Sequence, residues 1–532
     1  MTTTRTLKHQ AYTRVGLIFV ILVLLNIVSI RVFGRFDMTH NRLFSLSDAS
    51  KNLMRSLDDK VTVKAYFTDD LPAPYSDNRR QLLDELNEYR AYAGGNLQYE
   101  FISPTGEEGE RDAQEQGIGP VQVQVVKEDK FEVKRAYMGL VFLYEDKKEI
   151  IPVVQNTSTL EYDISSTIKK LTAKSQKTIG VLSGQGEAGL DDLSKAQAIL
   201  KKQYIVQTVD VDKGAPVPAD IAALLIIAPV KRFTEPEKFQ IDQYIMRGGR
   251  VAFLLNRVAA DLQNRYGRPL DLNLDDLLQT YGLRIDADLV RDLQCASISL
   301  VQQQFGLSIQ SQVPFPYIPA ASTFSPGNAM VKDLQQIVFF FVSSVDTTGV
   351  AARNLRSEIL IRSSKQSGRQ TGMFMYDPLE RYTRESIAAD FAETGIPLAA
   401  VVEGKFQSLY AGKPAPQDTA AGAAPPPATP LIESPETRVV LVGDGDFARD
   451  QYLGNRDNLT FFANMVDYLV DDAGLITIRS KETAMPPLDQ VSEGTKSAIK
   501  YANLILPPGL VLLYGMFRWR MRKARKKALE TR

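Results

Sequence analysis

The sequence has almost no cysteine and almost no histidine. Cys295 stands alone among 532 residues, so no intramolecular disulfide can form. It lies in QCASIS, which reads as a strand, and the thiol reads as buried and structural rather than nucleophilic. The two histidines, His9 and His40, both lie near the N-terminus. A histidine-containing triad and a His/Cys zinc site are thereby excluded from the rest of the chain, and no resident metal or cofactor is expected. Net charge is missing too, since 63 basic residues balance 63 acidic ones. The excess positive charge that drives non-specific nucleic-acid binding is absent. Carboxylate chemistry, or none, is what remains.

What is present is greasy at both ends. Val15 to Phe33 (VGLIFVILVLLNIVSIRVF) carries no charge between Arg14 and Arg31. Such a run crosses a bilayer in about 20 helical residues if Arg31 snorkels to the far headgroups. Arg5, Lys8 and Arg14 precede it without an acid, which places the N-terminus in the cytoplasm. SIRVFGRF offers no small-x-small cleavage pair, so an uncleaved anchor is favoured over a signal peptide. Ala498 to Phe517 is a second run, followed at once by RWRMRKARKK. Arg518, Arg520 and Arg522 read as its cytoplasmic anchor, as Arg14 and Arg31 do for the first. Pro507 and Pro508 should kink or break this second helix. The expected topology is two-pass in a bacterial cytoplasmic membrane, with both tails inside and a periplasmic body.

The body reads as α/β. A linker and helix over 35–58 are capped by Ser47 and faced with Leu53, Met54 and Leu57. Residues 59–175 alternate as β-α-β-α-β-β-α, a thioredoxin-like layer. It includes strands at 61–67, 97–103 and 121–126, and a hairpin at 138–154. Without a Cys-x-x-Cys it is a scaffold only. From 176 to 290, and again from 436 to 482, continuous apolar strands alternate with helices. That pattern means a parallel, doubly wound Rossmann- or flavodoxin-like sheet covered on both faces. A last strand is expected at Leu475–Arg479. Residues 291–411 form a β-rich extension, 412–435 a Pro/Ala-rich disordered loop, and 483–497 a linker.

Two strand-end turns are the candidate ligand sites, because ligands bind outside the carboxyl ends of such strands. Ser183, Gly184, Gln185, Gly186 and Glu187 form the first, where glycines admit backbone amides to an anion. Asp444 and Asp446, with Gly445 between them, form the second. They could hold a cation, but a hard metal wants six or more oxygens and few are supplied here. Asp before Gly is also ordinary turn chemistry.

Four stretches carry a family likeness: DMTHNRLFSLS, LEYDISSTIKKL leading into KTIGVLSGQGE, VVLVGDGDF, and NLTFFANMVDYLVDD. They resemble the gliding-motility-type auxiliary components of ABC transport systems. That family pairs a membrane anchor with a domain shared by intraflagellar-transport proteins and related to the glutamine-amidotransferase-like fold. Its members usually show Gly-His-Gly-Glu where this chain has Gly184-Gln185-Gly186-Glu187. The resemblance implies an ABC ATPase and a membrane permease as partners, with the ligand unspecified. The leading expectation is a non-enzymatic accessory subunit. One alternative is an envelope hydrolase or transferase using Glu187, Asp444 and Asp446, which requires those carboxylates to converge. Another is an envelope scaffold working through 291–411.

Overall fold

Ser47 starts the first described helix, α1 (Asp48–Arg55), by accepting a hydrogen bond from the Ser50 amide at 3.2 Å. The computed structural model describes residues 45–69, 71, 75–127, 130–154, 157–173, 175–304, 307–380, 382–416, 429–453, 455–470, 474–476, 478–479 and 493–530, together with Gly16, Leu17 and Ile21. The remainder of the expected first membrane span, with Arg14 and Arg31, lies outside the described residues. The chain divides into two compact units, Met1–Ala484 and Met485–Arg532.

In the first unit, the chain after α1 builds a four-stranded sheet. It runs through β1 (Val61–Phe67), α2 (Tyr75–Tyr92), β2 (Leu97–Ile102), α3 (Gly106–Glu115), β3 (Met138–Tyr144), β4 (Lys147–Ile151) and α4 (Leu160–Thr172). The strand order is β2-β1-β3-β4, with β1 and β2 parallel and the others antiparallel. Leu82, Leu86 and Tyr89 of α2 recur at helical spacing and are fully buried in its core. The expected strand at 121–126 exists but does not join this sheet. Val121–Lys127 pairs only with Lys130–Ala136, as a separate two-stranded hairpin. The alternation of VQVQVVK with KFEVKRA suits a ladder of its own.

The second sheet has eight strands: β5 (Thr178–Ser183), β6 (Ile205–Asp210), β7 (Ile221–Ile227), β8 (Val251–Leu254), β9 (Thr323–Phe324), β10 (Arg356–Arg362), β11 (Pro397–Gln407) and β12 (Glu433–Val442). Their order is β9-β10-β11-β12-β8-β7-β5-β6. From β12 to β6 all neighbours are parallel, and β9 to β11 add on antiparallel. Runs such as IAALLII are apolar throughout because both faces are covered. On one face α5 (Ser194–Leu200) and α9 (Arg456–Leu469) pack on Ile179, Leu225 and Val440. On the other, α6 (Glu235–Met246) and α7 (Asp275–Thr280) pack on Leu224, Phe253 and Leu441. α8 (Arg384–Asp390) lies in the β-rich extension, beside a long hairpin of Cys295–Gln304 with Leu307–Ala321. Pro314, Pro316 and Pro319 lie in the second strand of that hairpin.

Two expectations fail here. Residues 474–476 and 478–479 are helical, not a strand. The β-branched composition of LITIR is overridden by burial, since Leu475 and Ile478 pack on Tyr162 and Ala49. The loop expected to reach Pro435 ends sooner, because Glu433–Pro435 already belong to β12. Gln243 anchors its exit by accepting the Leu431 amide at 2.8 Å and donating to the Leu431 carbonyl at 3.0 Å.

The second unit contains α10 (Glu493–Glu530). It extends the expected span at both ends and continues through Pro507 and Pro508 without a break. Proline's fixed φ is itself helical, so the helix can continue although each proline lacks its hydrogen bond to the preceding turn. Residues 494–523 form a candidate membrane span, with Leu504, Val511 and Leu512 among its exposed apolar side chains.

Candidate functional site

The parallel strands of the large sheet end on one edge, and both expected turns are found there. After β5, the turn from Ser183 to Glu187 closes on itself. The Gln185 amide donates to a Glu187 carboxylate oxygen at 2.7 Å. The Gln185 carbonyl accepts from the amides of Val230 and Lys231, and its side chain donates to Glu237 at 2.8 Å. The amide an external anion would use is therefore already taken by the turn's own carboxylate. Gly186 sits at φ +73, and a Cβ there would meet Val230 at 2.6 Å, so glycine is required for this approach. Burial raises the Glu187 pKa, and its Oε1 is buried without a hydrogen-bond partner.

The turn after β12 is held by its own amides and by partners from distant parts of the chain. Asp444 is fully buried and accepts from the Phe340 amide at 2.7 Å and the Asp446 amide at 2.6 Å. Burial, followed by the neighbouring Asp446 charge, raises its pKa well above the usual carboxylate range. Asp446 accepts from Asn256 and from Arg449, each at 2.8 Å, while Asn256 also accepts the Gly445 amide. A Cβ on Gly443 would run into the Ser343 carbonyl, and one on Gly445 would meet Ala228 at 2.7 Å.

Asp444 and Asp446 are thus brought together by the Asp446 amide bond to Asp444, while Glu187 is engaged with the Gln185 amide of its own turn. The charges that act on Glu187 are Glu237 and Asp210, whereas Asp444 feels Asp446. Among the described residues, no group of three or more His, Cys, Asp or Glu side chains is placed to hold a metal ion. An open depression of about 500 Å³ lies elsewhere, lined by Leu293, Gln294, Thr323, Ser364, Lys365 and Gln366. Cys295 follows it in sequence and is only half-buried, less enclosed than the sequence suggested.

The polar cluster that sequence reasoning missed is on α4. Glu161 is buried and accepts from the Ser47 amide at 2.6 Å and the Ser50 hydroxyl at 2.7 Å. Ser165, on the same helix face, bonds both Ser50 and Tyr89. One residue past Glu161, Tyr162 accepts from Arg479 at 2.7 Å, and the guanidinium lies 4.7 Å from the ring centre. Arg479 is almost wholly buried, and it also donates to Asn464 at 2.7 Å and Asp467 at 2.8 Å. Tyr204 donates to the second Asp467 oxygen at 2.7 Å. Burial pushes the Tyr162 hydroxyl up to about 12, and the Asp467 and Tyr162 partners raise Arg479 despite its burial. Asp163 pairs with Lys202 at 3.0 Å, and the Ser166 carbonyl accepts from Gln203. One helix therefore joins α1, the small sheet, the large sheet and the 474–479 segment. A signal was available: Glu161, Asp163, Ser165 and Ser166 are spread around a helix too polar to have a single solvent face.

Residues 176–472, more than half of the chain, match the family described as an ABC-type uncharacterized transport system. Residues 40–143 match a domain of unknown function. A protein of Borreliella burgdorferi (strain B31), itself titled as uncharacterized, is 24% identical over 521 residues, covering 96% of this chain and 97% of that one. Among solved structures, the mmIFT52 N-terminal domain is similar at 13% identity and a TM-score of 0.33, covering 55% of this chain and 96% of that one. The exo-beta-1,4-mannosidase Op5Man5 from Opitutaceae bacterium strain TAV5 follows at 11% identity and a TM-score of 0.23, covering 76% and 49%. Likenesses that distant carry no argument. The family match does: this chain belongs to the auxiliary proteins of the ABC-type uncharacterized transport systems.

Proposed function

We propose that the chain is a non-enzymatic accessory subunit of an ABC transporter, working with an ATPase and a polytopic permease. In this reading it is held in a bacterial cytoplasmic membrane at both ends, with both termini inside and the body outside. Membership of the transport auxiliary family carries the proposal, and α10, long and apolar enough to span, supports the membrane assignment. The engagement of Glu187, Asp444 and Asp446 in hydrogen bonds with their own turns and with Phe340 and Asn256 supports the absence of catalysis.

Strand order β2-β1-β3-β4 with a parallel first pair supports a thioredoxin-like domain over 59–175. Five parallel strands covered on both faces support a doubly wound, amidotransferase-like domain over 176–290 and 436–482. A gliding-motility-type origin rests on the four sequence stretches alone.

The test is purification of the full chain in mild detergent. An ATPase and a permease should co-purify, and a monodisperse protein with neither would contradict the proposal. An envelope-scaffold reading has one observation in its favour. Tyr266 and Met375, direct cross-strand partners, are exposed at 48% and 61%, and Met373 beside them at 70%. If it is correct, Met373→Ser with Met375→Ser should abolish an envelope-protein contact while leaving ATPase co-purification intact.

A further inference from the structure

α10 is longer than a membrane requires. Its 38 residues, at about 1.5 Å each, make a rod of roughly 57 Å. The hydrocarbon core takes about 20 residues, or roughly 30 Å, which the uncharged stretch 501–517 and its flanks supply. The helix nevertheless continues to Glu530. Between Arg518 and Lys527 seven of ten residues are Lys or Arg, and none is acidic.

On a helical projection Arg518, Arg520, Arg522 and Lys523 cover roughly 200° of the circumference, leaving Met521 on the remaining arc. Arg518 and Arg522 stand four residues apart, so like charges repel along this surface. Arg518, Arg520, Arg522 and Lys523 are exposed. Trp519 lies among them, also exposed, with the Lys523 ammonium 5.1 Å from its ring centre. An indole of this kind favours the boundary between hydrocarbon and headgroups. With Trp519 at that boundary, Arg518, Arg520, Arg522 and Lys523 lie level with the headgroups.

We propose that this basic end of α10 is a binding site for anionic phospholipid headgroups, gathering them around the membrane exit of the helix. The proposal rests on the reading of α10 as a spanning helix. Charge complementarity selects the occupant. A second copy of the same helix would bring another seven cations to the contact, and zwitterionic lipid offers no net counter-charge. Continuity with the apolar span places the cations at the headgroups without any further folding.

Trp519 is the sole tryptophan of the chain, so selectively excited tryptophan fluorescence reports on this site alone. The full chain is reconstituted in bilayers containing a low, equal mole fraction of brominated phosphatidylglycerol or brominated phosphatidylcholine. Quenching by the anionic lipid should exceed quenching by the zwitterionic one roughly threefold or more, and high salt should erase the difference. Replacing Arg522, Lys523, Arg525, Lys526 and Lys527 with glutamine should erase it too, while quenching by the zwitterionic lipid persists. Equal quenching by the two lipids in low salt overturns the proposal and leaves the basic end to an acidic protein partner. If neither lipid quenches Trp519, the spanning reading fails, and the proposal fails with it.

Discussion

The α4 helix and the two strand-end turns use polar side chains in different ways. On α4, Glu161 reaches residues 114 and 111 positions away, and Tyr162 reaches one 317 positions away. In the turns, Glu187 bonds an amide two residues off, while Asp444 and Asp446 each bond one group within three residues and one far along the chain, Phe340 at 104 positions and Asn256 at 190. The α4 cluster joins separate elements, whereas the turn carboxylates fix the shape of their own loops and tie the later loop to Phe340 and Asn256. The edge of a parallel sheet where ligands usually bind is here stabilised from within. The helix that looks like mere core is the junction of the molecule.

This contrast can be broken by mutation, beginning where the effect should be largest. Arg479→Met leaves Asp467 buried with its cation removed, and should destabilise the full chain by about 3–5 kcal/mol in denaturant unfolding. Adding Asp467→Leu should recover much of that loss, since the uncompensated charge is then gone. A single-variant loss below about 1 kcal/mol would mean that the junction is not tightly held. Gly443→Ala tests the turns by sterics alone. Its Cβ meets the Ser343 carbonyl, and about 3 kcal/mol of stability should be lost, visible as a lower Tm.

Glu161→Ala removes one acceptor from two donors and should cost about 2 kcal/mol. Limited proteolysis should then cut within α1 before it cuts the large sheet. Glu187→Gln should be the mildest change, within about 1 kcal/mol at neutral pH. Its pH dependence has a definite sign. Burial raises the folded-state pKa of Glu187, so its contribution is fully favourable below the ordinary glutamate value of about 4.3. That contribution is lost as pH rises through the folded-state value. The glutamine variant should therefore gain on the native chain from acid toward neutral pH, and a variant that loses stability relative to the native chain over that range would contradict the assignment.

Much of the fold was legible because its signals are local. Apolar runs such as ALLIIA and RVVLV marked buried parallel strands, and Ser47 marked a helix start. The turns at 183–187 and 443–447 followed from glycines at strand ends. What was not legible depends on partners far along the chain. Nothing near LITIR says that Arg479 pairs with Asp467 and Tyr162 while its neighbours bury against α1, and that burial makes the segment helical. The pairing of Val121–Lys127 with Lys130–Ala136 was missed for a different reason: two polar-apolar alternations in a row carry no label for which sheet they join.

Hydrogen–deuterium exchange on the full chain in detergent, native against Glu161→Ala, tests the junction most directly. Faster exchange should appear in α1 and spread to 474–479, whose Leu475 and Ile478 share a small core with Ala49, while β5 and β12 keep their protection. Unchanged protection at 48–55, or an equal rise everywhere, would mean that α4 does not hold these segments together.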